Sequence, residues 1–177
     1  VTEPGNALLV EPDAAALRAA MGRFPTGVTL LTQGSKEASL AMTVNSLVSV
    51  SLDPLLILVS VKQSGRMRPG VVQAGSFAVN ILTQTHRDLC EEFARPDRPE
   101  GAAVMRRIDA IEGVTGNLVM PSAAVALECV LHAEVPAGDH ALLIGRVTVI
   151  HPGAPNTQPL VFHQGSFTRL SPTEEVP

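Results

Sequence analysis

The fold class this sequence predicts is mainly β, a barrel with peripheral helices, and three observations predict it. Apolar and polar residues alternate with period two in several stretches, most clearly over 40–52 and 126–135. Pro, Gly, Asn and Asp punctuate the chain at short intervals and mark off about seven such segments. Only about three stretches carry helical spacing. At 177 residues, 45% hydrophobic and 17% charged, the chain has the length of one domain and enough apolar side chains for its own core. No repeat or linker divides it. Residues 13–171 read as a single domain between a flexible arm, 1–12, and a short tail, 172–177.

The elements follow in order. Asp13 is placed to cap a helix reaching about Phe24, with Leu17, Ala20, Met21 and Phe24 on its apolar face. Pro25-Thr26-Gly27 stops it, Val28 to Thr32 forms a first strand, and Gly34 to Glu37 a turn. From Leu40 the even positions Leu40, Met42, Val44, Val48, Val50 and Leu52 are apolar, broken only by Ser46. The odd positions Thr43, Asn45, Ser49 and Ser51 are small, polar and uncharged. This predicts one strand with a face in the core. Its other face, all short hydrogen-bonding groups, suits the rim of a site for a flat, polar-edged molecule; it also fits an ordinary exposed strand. Asp53-Pro54 makes a turn, and the apolar run Leu55 to Val61 reads as a strand buried on both faces.

Gln63-Ser64-Gly65-Arg66-Met67-Arg68 is a short loop that, with Lys62, offers a hydroxyl, backbone amides and three cations. Such a loop suits a phosphate, or is simply a solvated basic loop. Phe77 to Leu82 is a further strand. Thr83 to Ala94 reads as a helix with Leu89, Cys90, Phe93 and Ala94 on one face, ended by Arg95-Pro96-Asp97-Arg98-Pro99. Residues 96–123 carry little pattern. Over 126–135, Leu127, Cys129, Leu131, Ala133 and Val135 point inward, and Glu128, His132 and Glu134 outward. After a turn at Pro136 to Asp139, Ala141 to His151 returns as a strand in which Gly145 predicts a bulge or a close approach. A proline-rich loop, 152–159, precedes short closing strands at Leu160 to His163 and Phe167 to Leu170.

Composition excludes several functions. A net charge of −4, no basic run, no Tyr or Trp and only five Phe give nucleic acid neither an electrostatic footprint nor a stacking platform. No apolar run reaches the ~18–20 residues of a membrane span, and the first residues lack a basic leader region. Cys90 and Cys129 are isolated and suit a reducing compartment, so a soluble, cytoplasmic protein is expected. Low charge with high hydrophobicity predicts a dimer or larger oligomer. There is no G-x-S-x-G elbow, no metal-ligand spacing among the five His, and no G-x-G-x-x-G for a Rossmann dinucleotide site.

Five segments, in order over roughly residues 14–170, nevertheless carry a resemblance: FPTGVTLLT (24–32), MTVNSLVSVSLDPLLILVSV (42–61), GSFAVNIL (75–82), the GDH of 138–140 with Gly145-Arg146-Val147, and PLVFHQGSF (159–167). Together they resemble the small flavin reductases of two-component flavin-dependent monooxygenases. The resemblance implies an FMN-binding split β-barrel and a homodimer. It implies hydride transfer from NADH or NADPH to FMN or FAD, and delivery of reduced flavin to a separate flavin-dependent monooxygenase. The cofactor carries that chemistry, so neither an acid–base catalyst nor a metal is expected among the side chains.

By the same resemblance Thr26 lies beside the flavin ring, and Thr43, Val44, Asn45 and Ser46 line it. Ser60, Lys62 and Ser64 meet the phosphate, and Phe93 and Arg95 approach the phosphate or adenine end. His140 lies by the nicotinamide with Asp139 orienting its imidazole, and Phe167 flanks the nicotinamide. From the residues alone, Thr26 is equally a connector, Phe93 a core residue, His140 a solvated turn residue, and Phe167 a closure of the barrel. A flavin- or small-ligand-binding barrel without turnover is the competing class.

Overall fold

Residues 11–155 and 157–170 are described by a computed structural model. Only the last two residues of the expected arm fall within them, and the tail 172–177 lies outside. Helix α1 (Ala14–Met21) starts where Asp13 caps it: the Asp13 carboxylate accepts the Ala16 N–H at 2.7 Å. It ends at Met21, a turn earlier than the sequence predicts. Leu17, Met21 and Phe24 remain exposed, because no other described element packs on that face.

The strands that follow are β1 (Thr26–Gly27), β2 (Thr29–Gln33), β3 (Leu40–Val44), β4 (Val48–Leu52) and β5 (Leu55–Lys62). Helix α2 (Met67–Ala74) leads to β6 (Ser76–Ile81), and α3 (Arg87–Phe93) to α4 (Ala102–Arg107). A small hairpin, β7 (Ile111–Glu112) and β8 (Leu118–Val119), precedes the long strands β9 (Val125–Ala137) and β10 (His140–Pro152). The pair β11 (Val161–His163) and β12 (Ser166–Thr168) completes the chain. Seven strands form one antiparallel sheet in the order β3-β2-β6-β9-β10-β5-β4, and β1-β11-β12 form a second. The large sheet curls until β3 lies against β5. This is the mainly β, split-barrel architecture the sequence predicts.

Successive residues of β2 feed two cores, as period two requires. Leu30 packs with Leu82, Phe93, Val104 and Leu118 under α3 and α4, while Leu31 packs with Val59, Met67, Phe77 and Leu143 on the α2 side. Gly145 fulfils its expected role. The β9–β10 register shifts there, and a Cβ at this position would overlap the buried Phe77 ring.

Four expectations are corrected. The stretch 40–52 is two strands, not one. The chain leaves β3 at Asn45, turns, and re-enters the sheet as β4 at the opposite edge. The alternation runs on across the break because each half has an apolar face. However, Val48, Val50 and Leu52 on β4, an edge strand, are 53%, 48% and 83% exposed. β5 is buried on one face, through Ile57, Val59 and Val61, and its other face is half covered. Met67 and Arg68, read as the end of the 63–68 loop, instead open helix α2 (Met67–Ala74). Gly70 lets it close on the sheet, since a Cβ there would sit 2.6 Å from the Gln33 side chain.

Glu128 is the fourth correction. Expected outward and solvated, it is fully buried, because the turn at 113–117 folds over that face of β9. Its carboxylate accepts the Val114 N–H at 3.0 Å, the Thr115 N–H at 2.6 Å, the Thr115 hydroxyl at 2.5 Å and the His151 Nε2–H at 2.7 Å. Burial alone would raise its pKa, but those hydrogen bonds together outweigh it and hold the carboxyl below its ordinary value.

Candidate functional site

The site begins at the break between β3 and β4. Having left the sheet, Asn45, Ser46 and Leu47 need other partners, and Ser46 supplies them. Its hydroxyl accepts the Ser60 N–H at 2.9 Å and donates to the Ser60 carbonyl at 3.1 Å. This staple fixes the turn against β5. The Thr43 hydroxyl donates to the Cys90 carbonyl at 2.8 Å, tying α3 to β3. Both hydroxyl protons are therefore committed to the fold, and what these residues offer outward is lone pairs. The Asn45 amide is the freer donor. Among the described residues it meets only the Thr26 hydroxyl, at 3.3 Å.

Three cavities open around this turn, and Asn45 lines all of them. The first, about 430 Å³, is walled by Thr43, Val44, Asn45 and Ser46 on one side and by Ser60, Lys62 and His140 on the other. Seven residues singled out in the sequence thus share one space. They come from three elements that the sheet order brings together: His140 at the start of β10 pairs with Lys62 at the end of β5. The second cavity, about 760 Å³, holds Thr26 beside Asn45 and Ser46, with Arg18, Met21, Phe24 and Phe162 as its further wall. The third, about 550 Å³, holds Arg95 and Phe167.

The turn before β10 is built, not loose. Gln63 Nε2 donates to the Gly138 carbonyl at 2.8 Å and to that of His140 at 3.2 Å, while the Gln63 N–H reaches the Asp139 carbonyl at 3.0 Å. Gln63 was not singled out in the sequence; only the paired ends of β5 and β10 reveal it. Asp139 is exposed, and its carboxylate lies 2.8 Å from His140 Nδ1. That bond and the His140 charge hold the Asp139 carboxyl below its ordinary value. An ionised Asp139 can only accept, so Nδ1 carries the proton and a neutral His140 presents Nε2 as an acceptor.

Other candidates fall elsewhere. Phe93 is fully buried in the core beneath α3, on the inward face of that helix, and lines none of the three cavities. Ser64 is exposed and also lines none of them. Phe167 stacks edge-on against Phe162, with centroids 5.5 Å apart, and carries the Arg87 guanidinium 5.4 Å from its ring centre. It lies in the third cavity, whereas His140 lies in the first. Cys90 and Cys129 are free and buried, their thiols pushed up to about 11 and about 12 chiefly by burial, so neither is a nucleophile near neutral pH.

Arg98 is the main residue the sequence did not single out. It lines the first cavity although it lies in the proline-rich segment after α3. Its Nε donates to the Ala41 carbonyl of β3 at 2.9 Å and its Nη1 to the Arg95 carbonyl at 3.1 Å. The pattern R-P-D-R-P gave no sign that its second arginine folds back on a strand almost 60 residues earlier. Lys62 and Arg98 add two cations to the lining of the first cavity, and Asn45, His140 and the spent hydroxyls add polar groups. This donor set fits a flat heterocycle with polar edges joined to a phosphate.

The family model described as "Flavin reductase like domain" matches residues 21–171. The chain is 43% identical to an NADH-dependent FMN reductase of Streptomyces nodosus subsp. asukaensis over 160 residues, covering 90% of this chain and 86% of that protein. Among solved structures, the NADH:FAD oxidoreductase SgcE6 of Streptomyces globisporus superposes with a TM-score of 0.84 at 34% identity, over 94% of this chain and 99% of that one. BorF, the flavin reductase component of a bacterial two-component tryptophan halogenase, gives 0.84 at 34% identity, over 91% and 100%.

Proposed function

The chain belongs to the flavin reductase-like family, and on that premise we propose that the cavity at the β3–β4 break is where it binds flavin. The protein is an NAD(P)H-dependent flavin reductase that supplies reduced flavin to a partner monooxygenase. The observation that carries the site reading is the convergence of Thr43, Val44, Asn45, Ser46, Ser60, Lys62 and His140 on one cavity. Bound flavin supplies the chemistry, accepting a hydride from the nicotinamide.

The chain's own task is to hold two flat rings in register and keep other orientations out. Asn45 and the backbone of the 43–46 turn meet the polar edge of the flavin, and Thr26 sits across the turn from it. Lys62, with Ser60 beside it, takes the phosphate end. His140, oriented by Asp139, offers Nε2 to the nicotinamide carboxamide, which can donate to it. Phe167 and Arg95 belong to the neighbouring cavity, where a second nucleotide enters or leaves.

A homodimer fits the exposed apolar residues Val48, Val50, Leu52 and Leu55 at the β4–β5 edge, which a second copy would cover. A reducing, cytoplasmic setting fits two free, buried thiols. Among the described residues no helix is long and apolar enough to cross a membrane.

The test is NADH and NADPH oxidation by the purified protein, followed by absorbance, with and without FMN or FAD. Turnover that requires added flavin, or flavin carried through purification, is the expected result. A folded protein that binds flavin yet oxidises neither nicotinamide would replace this reading with that of a flavin-binding barrel.

A further inference from the structure

His140 stands at the tip of a long hairpin, and most of that tip has little to lean on. β6 pairs with β9 only as far as Val130, so beyond it, among the described strands, β9 has β10 alone as a neighbour. On the other side the last rung between β10 and β5 sets His140 opposite Lys62. Gln63 then carries the attachment past the end of the ladder. Its N–H donates to the Asp139 carbonyl at 3.0 Å, and its side-chain Nε2 donates to the carbonyls of Gly138 at 2.8 Å and His140 at 3.2 Å. Carbonyls only accept, so the amide nitrogen must face them, and its two hydrogens match the two acceptors. One residue thus takes three consecutive carbonyls of a surface turn, which water could satisfy as well. Attachment of the hairpin does not need it, because the Arg68–Glu134 ion pair already ties β9 to α2. What the Gln63 side chain alone fixes is the run 138–140.

We infer that Gln63 is a positioning residue for the nicotinamide, acting through His140 by clamping the backbone of the 138–140 turn. The inference deepens the proposed role of His140 and rests on it. Gln63 lines none of the three cavities and so touches no bound ring itself, whereas His140 lines the first. Asp139 and His140 ride on the same turn, with the carboxylate 2.8 Å from Nδ1. Asp139 therefore sets the tautomer of the imidazole, and Gln63 sets where the pair stands. A hydride passes only between rings at contact distance, and a small misplacement of the group that aligns them is costly. The role also selects the side chain. Met would fill the same space without a donor, and Glu would turn carboxylate oxygens toward carbonyls that cannot donate to them.

The test follows flavin-dependent NADH oxidation and FMN fluorescence titration in the whole protein, in Gln63→Met, Gln63→Glu and His140→Ala, and in the Gln63→Met/His140→Ala double variant. Losing two neutral hydrogen bonds should raise the KM for NADH about three- to tenfold in Gln63→Met. Gln63→Glu should raise it at least as much, although its shape is that of Gln. The FMN dissociation constant should stay within about twofold in both. In the His140→Ala background, adding Gln63→Met should change the KM by less than about twofold, since no ring is left to place. Fully additive losses would overturn the inference, because Gln63 would then act by another route. Equal losses for NADH and FMN would overturn it and make Gln63 a structural tie. A normal KM in both Gln63 variants, beside a raised one in His140→Ala, would overturn it as well. Should one Gln63 variant fail to fold, the other carries the comparison. The underlying reading fails separately, and takes this inference with it, if His140→Ala leaves the KM for NADH unchanged.

Discussion

Glu128 on β9 and the cations Lys62 and Arg98 at the first cavity stand in opposite relations to the fold around them. Around Glu128 every hydrogen-bonding demand is met by the chain: two backbone amides, a hydroxyl and an imidazole converge on one fully buried carboxylate. At the β3–β4 break the side chains are just as carefully held, yet capacity is left over. Among the described residues Arg98 keeps three N–H donors, Lys62 has no ion-pair partner and the Asn45 amide hydrogen-bonds only Thr26, while His140 presents Nε2. Burial does not separate structure from function here. What separates them is whether the partners of a polar group exhaust it.

That contrast can be broken first at the Glu128 end. Glu128→Ala should cost about 3–5 kcal/mol in denaturant unfolding, because it leaves the Thr115 and Val114 donors and His151 without their acceptor. The fraction that remains folded should bind FMN normally. A loss below about 0.5 kcal/mol, the size of a surface substitution, would mean that the clasp is ornamental.

The same region predicts a pH dependence. The folded Glu128 carboxyl titrates below its ordinary value, so the unfolded chain takes up this proton at higher pH than the folded one. Its contribution is complete above the unfolded pKa of ~4.3 and is lost as pH falls through the folded value. Acid unfolding curves should therefore decline below that point, and Glu128→Gln should decline less steeply over the same range.

At the cavity end the effects should move binding and spare stability. Lys62→Ala should weaken FMN about tenfold, one charge-assisted contact, with unfolding unchanged within about 0.5 kcal/mol. His140→Ala should raise the KM for NADH several-fold and leave flavin affinity intact. An unchanged KM would remove His140 from the nicotinamide site. Asp139→Asn should do the same more weakly, because it alters only the orientation and tautomer of the ring.

Much of the fold was legible because strand periodicity is local. The alternation over 126–135 gives β9, Gly145 marks the bulge, and Asp13 marks the start of α1. What the sequence concealed is non-local. Nothing in the pattern at Glu128 says that residues 113–117 will fold over it. The break at Asn45 is silent because polar and apolar positions keep alternating through it. Thr43 and Asn45 stood out through their uncharged polar face, and Val44, Ser46, Ser60, Lys62 and His140 through the resemblance; the sheet order explains why they meet. Arg98 and Gln63 were missed because each acts through backbone carbonyls of a distant segment, and such contacts leave no signature in side-chain type.

The most direct test of the central claim, that the unexhausted polar groups at the β3–β4 break form the flavin site, is a crystal structure of the protein soaked with FMN. The account predicts the isoalloxazine ring against residues 43–46, with the phosphate at Lys62. Flavin bound away from Lys62, for example in the groove lined by Arg18, Phe24 and Phe162, would contradict it.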